Sequence, residues 1–287
     1  MVYDTRHNSS RTVLADDGLE LPVNVFEPAG RASGVAVVVP AMATPASYYH
    51  SFATWLAGHG LRAITFDYRD TASVATMKAS RADVDRWATD ADAILSSAAA
   101  DGIPVTWIGH SLGGQFLGLV DHSRIDRAIT VASGNGYWRY NAPRLRWAAP
   151  LLWSIVGPAT MRIFGYYAGS KIGVLGDVPS GAMRQWSRWC RHPNYLEADH
   201  PDRAQRFASV KAPVLALSFT DDELLAKESI DSLHGWFSGT VVDRRHLSPP
   251  ELGVDRMRHH GFFRSRHSQH WEKLVLPFLK ADQYGRA

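Results

Sequence analysis

The sequence predicts an α/β protein, with a mostly parallel twisted sheet, helices on both faces and an inserted, mainly helical cap. Three observations predict this fold class. Buried-strand patterns alternate with amphipathic helices, the alternation breaks after Ser133, and it resumes near residue 207. Such alternation is typical of a parallel sheet covered on both faces. The 287 residues are 45% hydrophobic and 21% charged, which suits one large core and excludes a disordered chain.

The first half begins with a predicted hairpin. Short runs at Thr12–Leu14 and Leu21–Phe26 flank Asp16-Asp17-Gly18, which predicts the turn. The run Val35–Val39 has no polar residue, as is typical of a strand buried on both faces. The elements predicted next are a helix over Tyr48–His59, a strand over Leu61–Phe66, a helix over Val84–Ala100, a strand over Val105–Ile108, a helix over Leu112–Val120 and a strand over Ile125–Ala132.

Residues 137–206 are rich in Trp, Tyr and Arg and interrupted by Gly and Pro, with a helical pattern at Met183–Cys190. We therefore predict an α/β core of residues 1–136 and 207–287 and a cap subdomain of residues 137–206. The core resumes with a strand over Val214–Ser218, a helix over Ala226–Trp236, a strand over Thr240–Leu247 and a final helix over Ser265–Lys280.

Cysteine content and hydropathy indicate the compartment. A single cysteine, Cys190, excludes a disulfide framework and fits a reducing environment. Met1–Arg11 is polar and shows no signal-peptide pattern, so we expect a cytoplasmic location. The longest apolar run, Ala148–Met161, contains two prolines and is shorter than the roughly 18 residues a membrane span needs. We expect no stable membrane insertion.

The charge distribution argues against a nucleic-acid partner. A net charge of +3 and a pI near 9.0 would suit one. However, residues 137–206 hold ten Lys and Arg against four Asp and Glu, and the rest of the chain has a net charge of −3. The basic character therefore belongs to the predicted cap, and we expect no nucleic-acid binding.

The strongest local signal is the segment Gly109–Gly114, which reads Gly-His-Ser-Leu-Gly-Gly and lies between a predicted strand and a predicted helix. A serine on a tight strand-to-helix turn is held in strained backbone geometry with its hydroxyl exposed, and small neighbours allow close backbone approach. The free N–H groups at the start of the following helix face any developing oxyanion. This context predicts that Ser111 is a nucleophile.

A serine hydroxyl is a weak nucleophile unless a base takes its proton and a carboxylate orients that base. In this type of fold the acid follows the serine and the histidine comes last. The acid is expected after the strand Val214–Ser218, where Asp221 and Asp222 lie. We prefer Asp222, nine residues after Pro213, and Asp221 remains the alternative.

The base must be chosen among thirteen histidines. His259 and His260 lie in the loop before the last predicted helix, and His246 ends a predicted strand. We prefer His259, with His260 and His246 as alternatives. The His-rich stretch Arg258–His270 lacks acid or cysteine partners at metal-ligand spacing, so no metal site is predicted. The glycine segment fits neither a phosphate loop nor a dinucleotide fingerprint, and no cofactor is expected.

Five segments of the chain resemble the α/β-hydrolase superfamily, and within it a bacterial serine hydrolase branch of esterase/lipase type. They are Pro40-Ala41-Met42, Thr65–Arg69, Gly109–Gly114, Ser218–Glu223 and His259–Arg264. The likeness covers nearly the whole chain apart from the cap. It implies that Ser111 is the nucleophile, Asp222 the acid and His259 the base. It also implies an oxyanion hole formed by the backbone N–H groups of Met42 and Leu112.

Three loop positions depart from the pattern of that family. Relatives usually carry His-Gly or a glycine-bearing loop where this chain has Pro40–Ala43. Asp70 and Arg258 occupy positions that are commonly glycine. These bulkier residues narrow or alter the site, but they remove no reacting group.

The aromatic content of the cap suggests a substrate pocket. Five of the ten tryptophans lie there, with several tyrosines. We expect a lipophilic acyl or aromatic pocket in which Trp138 and Trp186 bind substrate. Cap core or an oligomer interface, such as a homodimer, is the alternative use of these side chains. Because the arginines share the cap with the tryptophans, we expect a substrate that is apolar with an anionic end.

The expected function is that of a serine hydrolase that cleaves a carboxylic ester or thioester through an acyl-enzyme intermediate. Two alternatives stay open from the sequence. One is an acyltransferase that uses the same three residues, and the other is a non-catalytic protein that binds small molecules on the same scaffold.

Overall fold

The computed structural model describes residues 8–281 and contains an eight-stranded mixed sheet. The first seven residues of the polar segment Met1–Arg11 lie outside the described range. The strands of this sheet are β1 (Asn8–Leu14), β2 (Glu20–Phe26), β3 (Gly34–Val39), β4 (Leu61–Phe66), β5 (Val105–His110), β6 (Arg127–Val131), β9 (Val214–Phe219) and β10 (Val242–Leu247); the two-residue strands β7 (Tyr167–Ala168) and β8 (Asp177–Val178) form a separate pair.

The strand order is β1-β2-β4-β3-β5-β6-β9-β10, and the six strands from β4 to β10 in this order run parallel. β1 and β2 pair antiparallel with each other, and β2 pairs antiparallel with β4. β3, β5 and β9 are buried at every position, as expected for strands covered on both faces. The predicted α/β class with a mostly parallel sheet is confirmed.

Helices cover both faces of the sheet and fill the segment between β6 and β9. One apolar core packs around Trp87 and the other around Trp55. The helices are α1 (His50–Gly58), α2 (Val74–Ala79), α3 (Val84–Ala99), α4 (Leu112–Gln115), α5 (Pro143–Leu151), α6 (Gly157–Phe164), α7 (Gly169–Ile172), α8 (Ser180–Arg191), α9 (Arg203–Ala208), α10 (Lys227–His234), α11 (Pro249–Leu252), α12 (Ser268–His270) and α13 (Leu276–Lys280).

Two predicted helices are broken in the structure. The helix predicted over Leu112–Val120 is α-helical only in α4 and continues as the 3₁₀ turn Phe116–Gly118. The helix predicted over Ser265–Lys280 consists of a 3₁₀ turn, α12, the π-helical turn Trp271–Val275 and α13. Pro277 interrupts the regular pattern there because proline has no N–H to donate. The short helices α2 and α11 were not predicted.

The segment between β6 and β9, residues 132–213, contains α5 to α9. It is attached to the sheet-covering helix α3 by a buried glutamine. The side-chain oxygen of Gln185 accepts hydrogen bonds from the N–H groups of Val84 and Asp85, at 2.7 and 3.0 Å. These N–H groups lie in the first turn of α3 and have no partner within that helix. Gln185 therefore connects α8 to the start of α3.

Residues 8–281 contain neither a membrane-spanning helix nor a cluster of metal-ligating side chains. No helix in that range is both long enough and apolar enough to cross a bilayer. In the same range, no group of three or more His, Cys, Asp or Glu side chains is arranged to hold a metal ion.

Candidate active site

Ser111 lies at the turn between β5 and α4, in a backbone conformation that few non-glycine residues adopt. Its φ is 50° and its ψ is −111°. The backbone N–H of Ser111 donates to the carbonyl of Val131 at the end of β6, at 2.9 Å, which helps to hold the turn. Strain of this kind persists only where the surrounding structure enforces it, and it is common at catalytic residues.

Two glycines make this tight turn possible. A Cβ atom on Gly109 would lie 2.4 Å from the backbone nitrogen of Gly114, on the other side of the turn. A Cβ atom on Gly113 would lie 2.2 Å from the carbonyl oxygen of Val39 at the end of β3. Since the loop Pro40-Ala41-Met42 follows Val39 directly, Gly113 lets the start of α4 approach that loop.

Asp222 and His259 form a buried pair. The Nδ1–H of His259 donates to Oδ2 of Asp222 at 2.8 Å, and both side chains are 2% exposed. The other carboxylate oxygen accepts from the N–H groups of Leu224 and Leu225, at 2.8 and 3.0 Å. Burial opposes ionisation of Asp222, but the nearby His259 and these hydrogen bonds outweigh it and lower the pKa of the carboxyl.

The neighbouring acids hold the loop that carries His259. The Asp221 carboxylate accepts hydrogen bonds from the N–H groups of Met257 and Arg258, at 2.8 and 3.0 Å. The carboxylate of Glu223 accepts from the N–H of His259 itself, at 3.1 Å. Asp221, the alternative acid, thus bonds to backbone, whereas Asp222 bonds to the imidazole.

A buried hydrogen-bond chain that the sequence did not suggest connects three loops of the site. Nε2 of His110 lies 3.1 Å from the carbonyl oxygen of His259, and Nδ1 lies 2.8 Å from the Tyr49 hydroxyl. This hydroxyl accepts from the N–H of Ala41 at 2.9 Å. His110 stands beside Ser111 in the glycine motif, and its place in that motif was the only signal that could have drawn attention to it.

One residue in each of the three loop positions that depart from the resembled family has a left-handed backbone conformation. The φ angles of Ala43, Asp70 and Arg258 are 56°, 65° and 59°. Only glycine adopts such angles without steric cost. The backbone at these three positions therefore has a conformation that favours glycine, although none of the three residues is glycine.

Ser111 and His259 line one cavity of about 530 Å³, together with Met42, Leu112 and His260. The segment between β6 and β9 supplies most of the remaining wall, which is largely apolar. Those wall residues include Asn141, Arg144, Leu145, Ala148, Leu152, Trp153, Val174, Leu175, Trp186 and Cys190. A large apolar cavity with a few converging polar groups is the usual form of a small-molecule site.

The structure brings most of the predicted site residues to this cavity. Trp186 lines it, and Trp153 does so too. Trp138 is not among the lining residues, because its ring packs against Tyr137 and lies beneath the Arg139 guanidinium, 5.2 Å away. Aromatic content alone could not distinguish a tryptophan that faces the cavity from one that packs beside it.

The alternative histidines have other contacts. Nδ1 of His246 lies 2.9 Å from the Ser218 hydroxyl, and His246 is not among the residues that line the cavity. His260 does line the cavity and contacts the Thr44 hydroxyl at 3.4 Å. Burial and the adjacent His259 lower the pKa of His260 to about 4, so its ring is neutral near pH 7.

Comparison with known proteins supports the fold. No family model matches the chain, and no curated protein does. It is similar to the solved structure of an esterase from Exiguobacterium antarcticum, at 16% identity and a TM-score of 0.62, with 95% of this chain and 100% of that chain covered. It is also similar to the structure of a hydrolase from Pseudomonas aeruginosa, at 16% identity and a TM-score of 0.58, with 95% of this chain and 99% of that chain covered.

A third similar structure is an α/β hydrolase from Novosphingobium aromaticivorans, at 17% identity and a TM-score of 0.52, with 94% of this chain and 98% of that one covered. Identities this low carry the fold and not the activity. The agreement extends over nearly all of each chain. The chain therefore has the α/β-hydrolase fold.

Proposed function

We propose that this protein is a serine hydrolase that cleaves a carboxylic ester or thioester through an acyl-enzyme, with Ser111, His259 and Asp222 as its catalytic triad. The observation that carries the proposal is the buried Asp222–His259 pair, whose histidine lines the same cavity as a serine held in a strained strand-to-helix turn. Such a constellation is recognised by its geometry and by the role of each residue.

Each residue has a defined role in the proposed reaction. Nε2 of His259 takes the Ser111 proton as the serine oxygen attacks the carbonyl carbon, and it then gives that proton to the leaving alcohol or thiol. Asp222 accepts the Nδ1–H of His259, so it holds the ring in the tautomer that leaves Nε2 free and stabilises the imidazolium. Water then attacks the acyl-enzyme, with His259 as general base, and releases the acid.

The developing oxyanion needs hydrogen-bond donors, and the backbone N–H groups of Met42 and Leu112 are our candidates. Both residues line the cavity beside Ser111. Neither N–H donates a hydrogen bond to another residue in the described part of the chain. A single preorganised donor of this kind contributes roughly 2.7–4 kcal/mol to the transition state.

We further propose that residues 137–206 form a cap over the site and that the substrate is apolar with an anionic end. The apolar wall from this segment favours an acyl or aromatic group. Arg144 supplies a positive charge among the lining residues, and its side chain can pair with a carboxylate. Transfer of the acyl group to an alcohol or amine would use the same triad, if the cap excludes water.

Labelling with a fluorophosphonate probe tests the proposal. Folded wild-type protein should form an adduct on Ser111, and the Ser111→Ala variant should form none. Turnover of a short-chain aryl ester should be abolished in His259→Ala and retained in His246→Ala. Absence of an adduct on Ser111 in folded protein would exclude the hydrolase and the acyltransferase alike.

A further inference from the structure

Helices α5 and α6 form one continuous helical run with apolar side chains on two opposite faces. The π-helical turn Leu152–Val156 joins them, so the run extends over residues 143–164. One face is buried and includes Ala149, Leu152, Trp153 and Met161. An apolar helix face is normally buried, but this run is covered on only one of its two apolar faces.

The opposite face is exposed. Trp147, Leu151 and Ile155 follow one another at intervals of four, which places them in one row, and Ile163 continues the apolar surface. Their exposed fractions are 82%, 56%, 61% and 73%. We call these four residues the docking face. An apolar surface of this kind on a folded protein marks an interaction site.

The surroundings of the docking face are strongly basic. Residues 138–196 contain eight Lys and Arg and one acidic residue, Asp177. Arg146 precedes Trp147 and Arg162 precedes Ile163 in the chain. Of the eight cations, only Arg188 forms an ion pair with another residue in the range 8–281, namely with Asp199.

Further cations flank α6. Arg184 and Arg191 line a pocket of about 230 Å³ with Pro158 and Met161, which belong to α6. Basic residues therefore lie next to the docking face in the chain and in a pocket that contacts α6. The positive charge of these residues indicates which kind of partner binds the docking face. A second copy of the chain, docked symmetrically, would bring two surfaces of the same sign together. An anionic partner would not meet this repulsion.

We propose that the docking face binds an anionic lipid surface, with its four apolar side chains in the interface and the surrounding Arg and Lys on the headgroups. Trp, Leu and Ile on one helix face, flanked by basic residues, are the features of a helix that lies in a membrane interface. Each cation near an anionic lipid surface strengthens binding by about fivefold.

The same helical run links this surface to the cavity. Leu145, Ala148 and Leu152 of this run line the Ser111 cavity. Docking would therefore bring the cavity close to the lipid headgroups, where apolar esters with anionic ends are concentrated. That consequence rests on the proposed hydrolase function, whereas the lipid binding itself does not.

Co-sedimentation of the full chain with vesicles tests the proposal. We expect binding to phosphatidylcholine vesicles that contain phosphatidylglycerol, weaker binding as salt is added, and little binding to phosphatidylcholine alone. Leu151→Ser with Ile155→Ser should reduce binding at least tenfold. Arg146→Gln, Arg162→Gln and Arg184→Gln together should reduce it by about a hundredfold, at about fivefold per cation.

Two matched control variants change exposed residues outside residues 137–206. Leu14→Ser removes another apolar side chain that is 66% exposed, and Lys211→Gln removes an exposed cation; both should bind like wild type. Thermal unfolding of each variant separates loss of binding from loss of fold. Hydrolysis of a soluble short-chain ester, measured on every variant, should stay unchanged, so a failure of docking is distinguishable from a failure of the hydrolase proposal.

Three results would overturn the proposal. The first is a wild-type protein that does not bind the anionic vesicles or binds both vesicle types equally. The second is unchanged vesicle binding by the docking-face and arginine variants. The third is a wild-type dimer that Leu151→Ser with Ile155→Ser converts to a monomer, without vesicle binding, which would identify a second copy as the occupant.

Discussion

The Nε2–H of His110 donates a hydrogen bond to the backbone carbonyl of His259, at 3.1 Å, in a fully buried position. Since the carbonyl can only accept, Nδ1 of His110 must accept from the Tyr49 hydroxyl at 2.8 Å. Burial lowers the pKa of His110 well below its ordinary value, so the ring stays neutral and this direction of donation is retained. The residue before Ser111 is thereby attached to the loop of the base.

We predict that Tyr49→Phe lowers both stability and kcat. The change leaves the N–H of Ala41 and Nδ1 of His110 without their buried partner, which costs about 1–3 kcal/mol of unfolding free energy. Because the Met42 loop and the Ser111 turn are both attached to this hydroxyl, kcat should fall by about tenfold, and KM should change little. Steady-state kinetics and denaturant unfolding measure these effects.

Tyr48→Phe is the matched control, because the Tyr48 hydroxyl lies outside this chain of hydrogen bonds. It should retain wild-type kcat. Equal losses of kcat in the two variants would mean that the Tyr49 hydroxyl does not position the site.

We predict that Asp222→Asn and Asp221→Asn have very different effects on catalysis. The first removes the acceptor that holds the His259 tautomer, so kcat should drop by roughly three orders of magnitude or more. The second weakens only the contacts of Asp221 with the N–H groups of Met257 and Arg258, and kcat should fall by about tenfold or less. Kinetics on an aryl ester compare them, and the reverse ranking would reassign the acid.

The buried ring of His234 should make the protein sensitive to acid. Its Nδ1–H donates to the Ile230 carbonyl and its Nε2 accepts from the Thr130 hydroxyl, each at 2.7 Å. Burial lowers the pKa of His234 to about 4, against an ordinary value of 6.5. As pH falls below about 6.5, the unfolded chain binds a proton that the folded protein does not. This group should therefore lower the free energy of unfolding by about 2 kcal/mol by about pH 5.

Denaturant unfolding at a series of pH values measures this loss, and His234→Asn should show a flatter dependence on pH than wild type. Since His260 also has a pKa of about 4, part of the slope should remain in the variant. A variant with the full wild-type slope would show that His234 is not one of the titrating groups.

Arg258→Gly should stabilise the protein. Arg258 has a φ of 59°, and a left-handed conformation costs a non-glycine residue about 1–2 kcal/mol. Glycine at this position avoids that cost, but its greater freedom in the unfolded chain offsets roughly 0.5–1 kcal/mol of the benefit. We therefore expect the free energy of unfolding to rise by about 0.5–1 kcal/mol, as measured by thermal or denaturant unfolding. Asp70→Gly should give no such gain, because it loses the 2.6 Å bond from the Ser80 hydroxyl.

Arg144→Gln should raise KM for esters that end in a carboxylate, by about two- to fivefold, and leave KM for neutral esters unchanged. The modest size follows from the exposure of Arg144, since exposed ion pairs contribute little. Arg184→Gln is the control, because Arg184 lines a different pocket. Equal changes on charged and neutral esters would argue against an anionic end.

The alternation of strands and helices could be predicted from the sequence because burial on both faces leaves a local pattern. Val35–Val39 and Val214–Ser218 lie within β3 and β9, which are buried throughout. The ends of elements were less predictable. The final helix is broken at a place where Pro277 and the packing of Trp271 compete with the helical pattern, and this competition depends on neighbours that are distant in the chain.

The sequence by itself determined the α/β alternation and the special position of Ser111, since both follow from local features: buried runs, and glycines at a strand-to-helix turn. Only the tertiary structure decided which aspartate contacts which histidine, because Asp222 and His259 lie 37 residues apart and a loop held by Asp221 and Glu223 aims the ring. It also revealed the bond between His110 and His259, which no local pattern encodes. Contacts between distant loops depend on the whole backbone path.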